Sequence, residues 1–277
     1  MSEHDSPLPL GEGQGEGSGL PSVDLLARIF ARKRAQLATR APLRVTRRIP
    51  PRRAFLAALT RPQPQAHVIA EVKRKSPSGG LFPHQDLVAV ARAYAAAGAS
   101  ALSVLTDAED FGGSIEDLLA IREAVPLPVL RKDFLCAVQE VQESAALGAD
   151  AVLLIADALE DALLRDLLQA AQEAGMDALV EAHTEAHAER ALAAGARLLG
   201  INNRDLSTLR TDTGTALRLL PRLRSRASAL VAESGLRSSG DLAAARAAGA
   251  HAVLVGESLL RDAEPGRALA RLLGGAR

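Results

Sequence analysis

Tryptophan is absent from this 277-residue chain, tyrosine occurs once, and aromatic residues make up only 2% of it. So few rings leave almost no stacking partners for single-stranded nucleic acid. A formal net charge of +0 argues further against a general nucleic-acid binder. The one cysteine, Cys136, cannot close an internal disulfide and fits a reducing compartment. No apolar run nears the roughly 18 residues that cross a bilayer. The first residues, MSEHDSPLPL, carry acid early and no apolar stretch, so they do not read as a signal peptide. These absences predict a cytoplasmic protein with neither nucleic acid nor membrane as partner.

Lysine is scarce as well. The 33 cationic residues include only Lys33, Lys73, Lys75 and Lys132, which leaves 29 arginines. Where any surface cation would serve, this chain uses arginine. A retained lysine points to a need for a compact charge with a tunable pKa.

What is plentiful is alanine, leucine and valine, within an apolar share of 48%. That suffices for one large core. Residues 1–21 are rich in Gly, Glu, Ser and Pro and predict a disordered tail. The remainder, 22–277, reads as one domain that opens with a helical extension over 22–61. Ser22 is the expected N-cap of a first helix, with Val23, Leu26, Ala27, Phe30 and Leu37 at helical spacing and an end before Pro42. A short helix over Arg52–Leu59 should follow Pro50 and Pro51. Between Ser22 and Arg61 eleven Lys/Arg face one acid, Asp24. A solvated face, a positive cap for an anionic substrate and a nucleic-acid arm are the three readings, the last weakened by the missing aromatics.

Beyond the extension the chain repeats itself. AAAGASAL, AALGADAV, QEAGMDAL, LAAGARLL and RAAGAHAV place a glycine at 98, 148, 175, 195 and 249. Each reads as a helix closing on glycine, followed within two or three residues by an apolar strand. The two long intervals each hold one more strand, Pro128–Asp133 and Ala227–Ser234, and His67–Val72 comes first. The total is eight. The strands are continuous apolar runs, as parallel strands buried on both faces are. The predicted fold is α/β, a (β/α)8 TIM barrel with an N-terminal helical extension. An open doubly wound sheet is the alternative, but no G-x-G-x-x-G follows the first strand.

Active sites of such barrels lie at the C-terminal ends of the strands. Those ends read Glu71-Val72-Lys73, Arg131-Lys132-Asp133, Val180-Glu181, Asn202-Asn203-Arg204, Glu233-Ser234-Gly235 and Gly256-Glu257-Ser258. Each alone could be a strand-end salt bridge. Together they would perturb one another's pKa values, as acid–base catalysis requires. The last two loops, ESGLRSSGD and GESLLRD, suit a phosphate, with glycines for close approach and Ser258 as a helix cap. The first loop, KRKSPSGGLFP, combines three cations with Gly79-Gly80 and reads as a mobile loop able to close over substrate, with a plain exposed turn as the alternative.

The fragments EVKRKSPSGG, ALSVLTDAEDFGGS, PVLRKDF, LVEAHT, GINNRDL, VAESG and VLVGESLL, in this order, resemble the indole-3-glycerol phosphate synthase family from Ser22 to the C-terminus. The resemblance implies ring closure of 1-(o-carboxyphenylamino)-1-deoxyribulose 5-phosphate with loss of CO2 and water, without metal or redox cofactor. It implies Lys132 as general acid and Glu181 as general base, with Lys73 near the phosphate and reacting centre. Glu71, Asn202 and Glu233 match orienting positions, and Ser76 and Arg204 match substrate contacts. Phe111 and Phe134 match the aromatic walls, though ordinary core is the plain reading of either. Ser234, Gly235, Gly256 and Ser258 match the phosphate cradle. Neighbours such as Lys73 are expected to lower the Lys132 pKa. Family barrels of this kind occur as monomer or homodimer, and a small phosphorylated substrate is the partner implied.

Three departures stand out. Gly79 replaces a frequent cation, Asp110 a frequent aromatic, and Ala137 to Gln139 a common acidic and aromatic stretch. A Schiff-base aldolase using Lys132 as nucleophile, an isomerase of an aminoaldose phosphate, and a non-catalytic metabolite-binding barrel are the competing readings.

Overall fold

The computed structural model describes residues 24–41 and 51–275. The tail expected over 1–21 and the cap expected at Ser22 lie outside the described residues.

Eight strands form one closed parallel barrel: β1 (His67–Val72), β2 (Ala101–Leu105), β3 (Val129–Lys132), β4 (Ala151–Ile155), β5 (Asp177–Ala182), β6 (Leu198–Asn202), β7 (Ala229–Glu233) and β8 (Ala252–Val255). Each pairs with the next, and β8 closes on β1 with His67 opposite Ala252 and Ala70 opposite Val255. Nearly every strand residue is buried, which is why the runs lack polar alternation. Closure excludes the open sheet. Helices wrap the outside, and all five glycines that punctuate the repeat have left-handed backbone, φ from +67° to +115°. Only glycine takes that conformation without a Cβ clash, so these positions stop each helix and turn the chain into the next strand.

The extension differs from expectation in detail. Helix α1 (Leu25–Thr39) is capped by Asp24, whose carboxylate accepts from the Leu26 and Ala27 amides. Its buried face is Leu26, Ile29, Phe30 and Lys33, while Ala27 is exposed. Helix α2 (Phe55–Thr60) starts three residues later than predicted, because Arg52 and Arg53 are occupied elsewhere. The Arg52 guanidinium donates to the Ala145 and Ala149 carbonyls, and Arg53 to those of Val125 and Leu127. Four of the described cations of the basic segment are taken up by acids of the barrel, whereas Arg34 and Arg61 are exposed. Arg28 and Arg32 pair with Glu109 and Asp110, Lys33 with Asp133 and Arg40 with Glu143. These four clamp the extension onto the barrel.

The loop after β1 is a small hairpin, Lys75–Ser76 against Gly80–Leu81. Arg74 forks onto Asp117, Lys75 donates to the Glu109 carbonyl at 2.5 Å, and Arg261 donates to the Gly79 carbonyl at 3.1 Å.

Candidate active site

The C-terminal mouth of the barrel opens into a cavity of about 480 Å³. Of the fourteen residues singled out from the sequence, all but Ser76 line it. Ser76 is buried just behind, its Oγ accepting from the Gly79 amide at 2.9 Å. It braces the hairpin and does not face the cavity.

Alternate strands of such a barrel contribute side chains to one inward layer of four. Here β1, β3, β5 and β7 carry Glu71, Lys132, Glu181 and Glu233 at or next to their last residues. Lys132 Nζ lies 3.0 Å from Glu233 Oε2 and 3.3 Å from Glu181 Oε2. Glu181 is fixed from its other side by Asn202 Nδ2, which donates to Oε1 at 2.7 Å. Asn202 Oδ1 in turn accepts the Arg204 amide at 2.9 Å. Lys73, just past β1, donates to Glu71 Oε1 at 2.5 Å. The floor therefore carries three carboxyl groups and two amines, nearly all buried.

This geometry overturns the expected direction of the Lys132 pKa. Burial works against its charge, but Glu233, then Glu181 and Glu71, outweigh it and hold the ammonium above the ordinary lysine value. Lys73 is paired instead with its own partner, Glu71. Glu71 lies below the usual carboxylate range, because Lys73 and Lys132 overcome its burial. Glu233 goes the other way: burial pushes it up to about 8, with Lys132 opposing and Glu181 adding. The layer thus holds a charged ammonium beside a carboxyl that titrates near neutrality, a pairing suited to moving protons.

Two aromatic walls stand over the floor. Phe111 and Phe134 have ring centroids 5.8 Å apart at 35°, and Phe30 meets Phe134 edge-on at 6.0 Å. On the far side, Ser234, Gly235 and Gly256 meet the N-terminal turn of the short helix Glu257–Leu260. Ser234 has φ +66°, and a Cβ on Gly235 would stand 2.7 Å from Thr213 Cγ2. The expected helix cap at Ser258 is incorrect. Gly256 holds the cap position, and Ser258 Oγ donates instead to the Leu236 carbonyl at 3.0 Å. Arg204 reaches Glu257 at 3.4 Å and the Ser78 hydroxyl, so it ties β6 to the hairpin across the mouth.

Several residues at the site were not singled out. Leu25, Leu26 and Ile29 of α1 line the cavity, as do Leu206, Leu209, Arg237 and Arg261. Leu26 was readable only as one apolar position of an amphipathic helix, since periodicity does not say which cavity a helix covers. Asp133 lies under the wall, where it accepts Thr106 Oγ1 at 2.6 Å and Arg131 Nη2 at 3.0 Å. Among the described residues no group of three or more His, Cys, Asp or Glu is placed to hold a metal ion.

A closed parallel barrel with acids and amines layered across its C-terminal mouth defines a (β/α)8-barrel enzyme. Comparison with known proteins narrows this. Residues 26–272 match the indole-3-glycerol phosphate synthase family. A synthase of that name from Geobacillus thermodenitrificans is 47% identical over 252 residues, spanning 90% of this chain and 97% of its own. One from Acidithiobacillus ferrooxidans is 46% identical over 260 residues, spanning 90% and 98%. The chain belongs to the indole-3-glycerol phosphate synthase family. Among solved structures, a 3-hexulose-6-phosphate synthase superposes with TM-score 0.61 at 17% identity, over 76% of this chain and 100% of that one. A mandelate oxidase superposes with TM-score 0.58 at 18% identity, over 75% and 70%. At such identities these two speak for the fold alone.

Proposed function

We propose that residues 22–277 act as one catalytic domain that converts 1-(o-carboxyphenylamino)-1-deoxyribulose 5-phosphate to indole-3-glycerol phosphate, CO2 and water in the cytoplasm. The observation that carries this reading is Lys132 Nζ, 3.0 Å from Glu233 and 3.3 Å from Glu181, at the floor of an aromatic-walled cavity.

Lys132 protonates the ketone oxygen as the ring carbon bearing the carboxylate attacks the carbonyl carbon. The carboxylate then leaves as CO2, and its bonding pair restores the aromatic ring. In the second stage the new hydroxyl takes a proton from an ammonium at the mouth and departs as water. Glu181 accepts the proton released from carbon as the indole double bond forms. Glu233 holds Lys132 in place, and Asn202 holds Glu181 in line. Lys73, paired with Glu71, lies beside the phosphate end and the reacting centre. Ser234, Gly235, Gly256 and Ser258 cradle the phosphate, with Arg237 and Arg261 at the rim. Phe111 and Phe134, packed against each other, form one wall for the anthranilate ring, and Arg204 holds the hairpin over the substrate.

Turnover of the carboxyphenylamino substrate, followed by indole fluorescence, tests the assignment. Background is low, since the chain has no Trp and one Tyr. Product fluorescence without added metal is the expected result. No product, with inorganic phosphate still bound, would overturn the substrate and leave a phosphate-binding barrel. Borohydride trapping of a substrate on Lys132 would favour the aldolase reading.

A further inference from the structure

Three of the four lysines sit at the mouth or its hairpin. The fourth, Lys33, lies on α1, and nothing in the proposed reaction uses it. It is 9% exposed in a chain whose surface cations are otherwise almost all arginine. Its Nζ bonds Asp133 Oδ1 and lies 3.7 Å from Asp107 Oδ2.

Both partners sit directly behind site residues. Asp133 follows Lys132 in the chain and precedes Phe134, whose amide donates to Asp133 Oδ1 at 2.8 Å. Asp107 caps the turn Ala108–Phe111, which ends on the other aromatic wall. One helical turn before Lys33, Phe30 rests edge-on against Phe134. Helix α1 therefore grips the two residues that follow Lys132, Asp133 and Phe134, and one ammonium joins both wall-bearing loops. A compact amine suits this place, because it is aimed at two carboxylates from different loops at once.

Resting on the proposed reaction, we infer that Lys33 is a positioning residue. Through Asp133 it sets the end of β3, and with it the aim of Lys132 at the substrate. Nearby Arg131 and Thr106 also bond Asp133, so the carboxylate stays charged and anchored when Lys33 is lost. What is lost is the tie between helix and strand. That predicts an effect on kcat through misaligned proton transfer, with substrate binding little changed.

The test compares Lys33→Gln, Lys33→Arg, Asp133→Asn and the double variant Lys33→Gln/Asp133→Asn, measuring kcat, KM and thermal melting. Lys33→Gln should lower kcat about 10- to 100-fold, the scale of a small misplacement of a reacting group. KM should stay near the wild-type value, and Lys33→Arg, which keeps the charge but not the compact amine, should recover only part of the rate. In the Asp133→Asn background, Lys33→Gln should add little further loss, because the two act through one contact. If Lys33→Gln folds poorly, the neutral double variant carries the same prediction. Wild-type kcat in folded Lys33→Gln or in the double variant, with only a lower melting temperature, would make Lys33 purely structural. Independent, multiplying losses in kcat would mean that it does not act through Asp133. Either result leaves wild-type turnover intact. Absence of turnover in the wild type would instead overturn the proposed reaction and this inference with it.

Discussion

Gly200 on β6 faces Glu233 on β7 so closely that a Cβ at position 200 would stand 2.0 Å from Glu233 Oε1. The missing side chain makes the space in which the buried carboxylate lies. Gly200→Ala should therefore push Glu233 off Lys132. Overpacking of this kind lowers stability by about 1–3 kcal/mol. The larger effect is expected in kcat, because the contact that positions Lys132 is displaced. Melting curves and steady-state kinetics on the same preparation separate the two. A variant that melts lower yet turns over at the wild-type rate would show that the Glu233 contact is dispensable.

Lys132→Ala is expected to fold at neutral pH. The two acids beside it then lose their cation, but Glu233, already pushed up to about 8, can hold a proton and remove the repulsion. Turnover should fall by about 10²–10⁴-fold, the usual contribution of a general acid. Lys132→Arg should fail almost as badly, since guanidinium does not release its proton near neutrality. Near-wild-type kcat in Lys132→Arg would reduce the lysine to a fixed positive charge.

The Glu233 carboxyl also gives stability a pH dependence. It titrates near 4.5 in the unfolded chain and near 8 in the fold, chiefly through burial. Between those values the folded state keeps a proton that the unfolded state has released. The contribution is thus complete below about pH 4.5 and is lost as pH rises toward 8. Glu233→Gln has no proton to lose. Its melting temperature should fall less than that of the wild type across this window. Parallel curves for the two proteins would refute the raised carboxyl.

At the opposite end of the barrel, Asp150 accepts Arg122 Nη2 at 3.0 Å, the Val129 amide at 2.9 Å and the Arg53 amide at 2.7 Å. These contacts serve the fold only, because they lie at the start of β3 and far from the reacting layer. Asp150→Ala leaves the buried Arg122 charge without its partner, a loss on the order of 3–5 kcal/mol. Denaturant melts should show it, while kcat of the protein that remains folded should hold. A selective fall in kcat would tie the base of the barrel to the chemistry.

Much of this protein is written locally. Five helix-ending glycines and eight continuous apolar runs specify the barrel, because helix termination and strand burial depend on neighbours a few residues away. The barrel then turns a position in the sequence, the strand end, into a position in space. That is why Glu71, Lys132, Glu181, Asn202 and Glu233 can be grouped from their places at strand ends alone. Tertiary structure decided what those groups do to one another. Lys132 meets acids 49 and 101 residues further along, and their distance sets the sign of its pKa shift. Only the folded chain pairs Lys33 with Asp133, turns Ser258 toward Leu236, and places Gly200 against Glu233. Such contacts cross between elements, and their energies depend on separations of an ångström or less. Local pattern and spacing carry no record of those separations, which arise when the barrel closes.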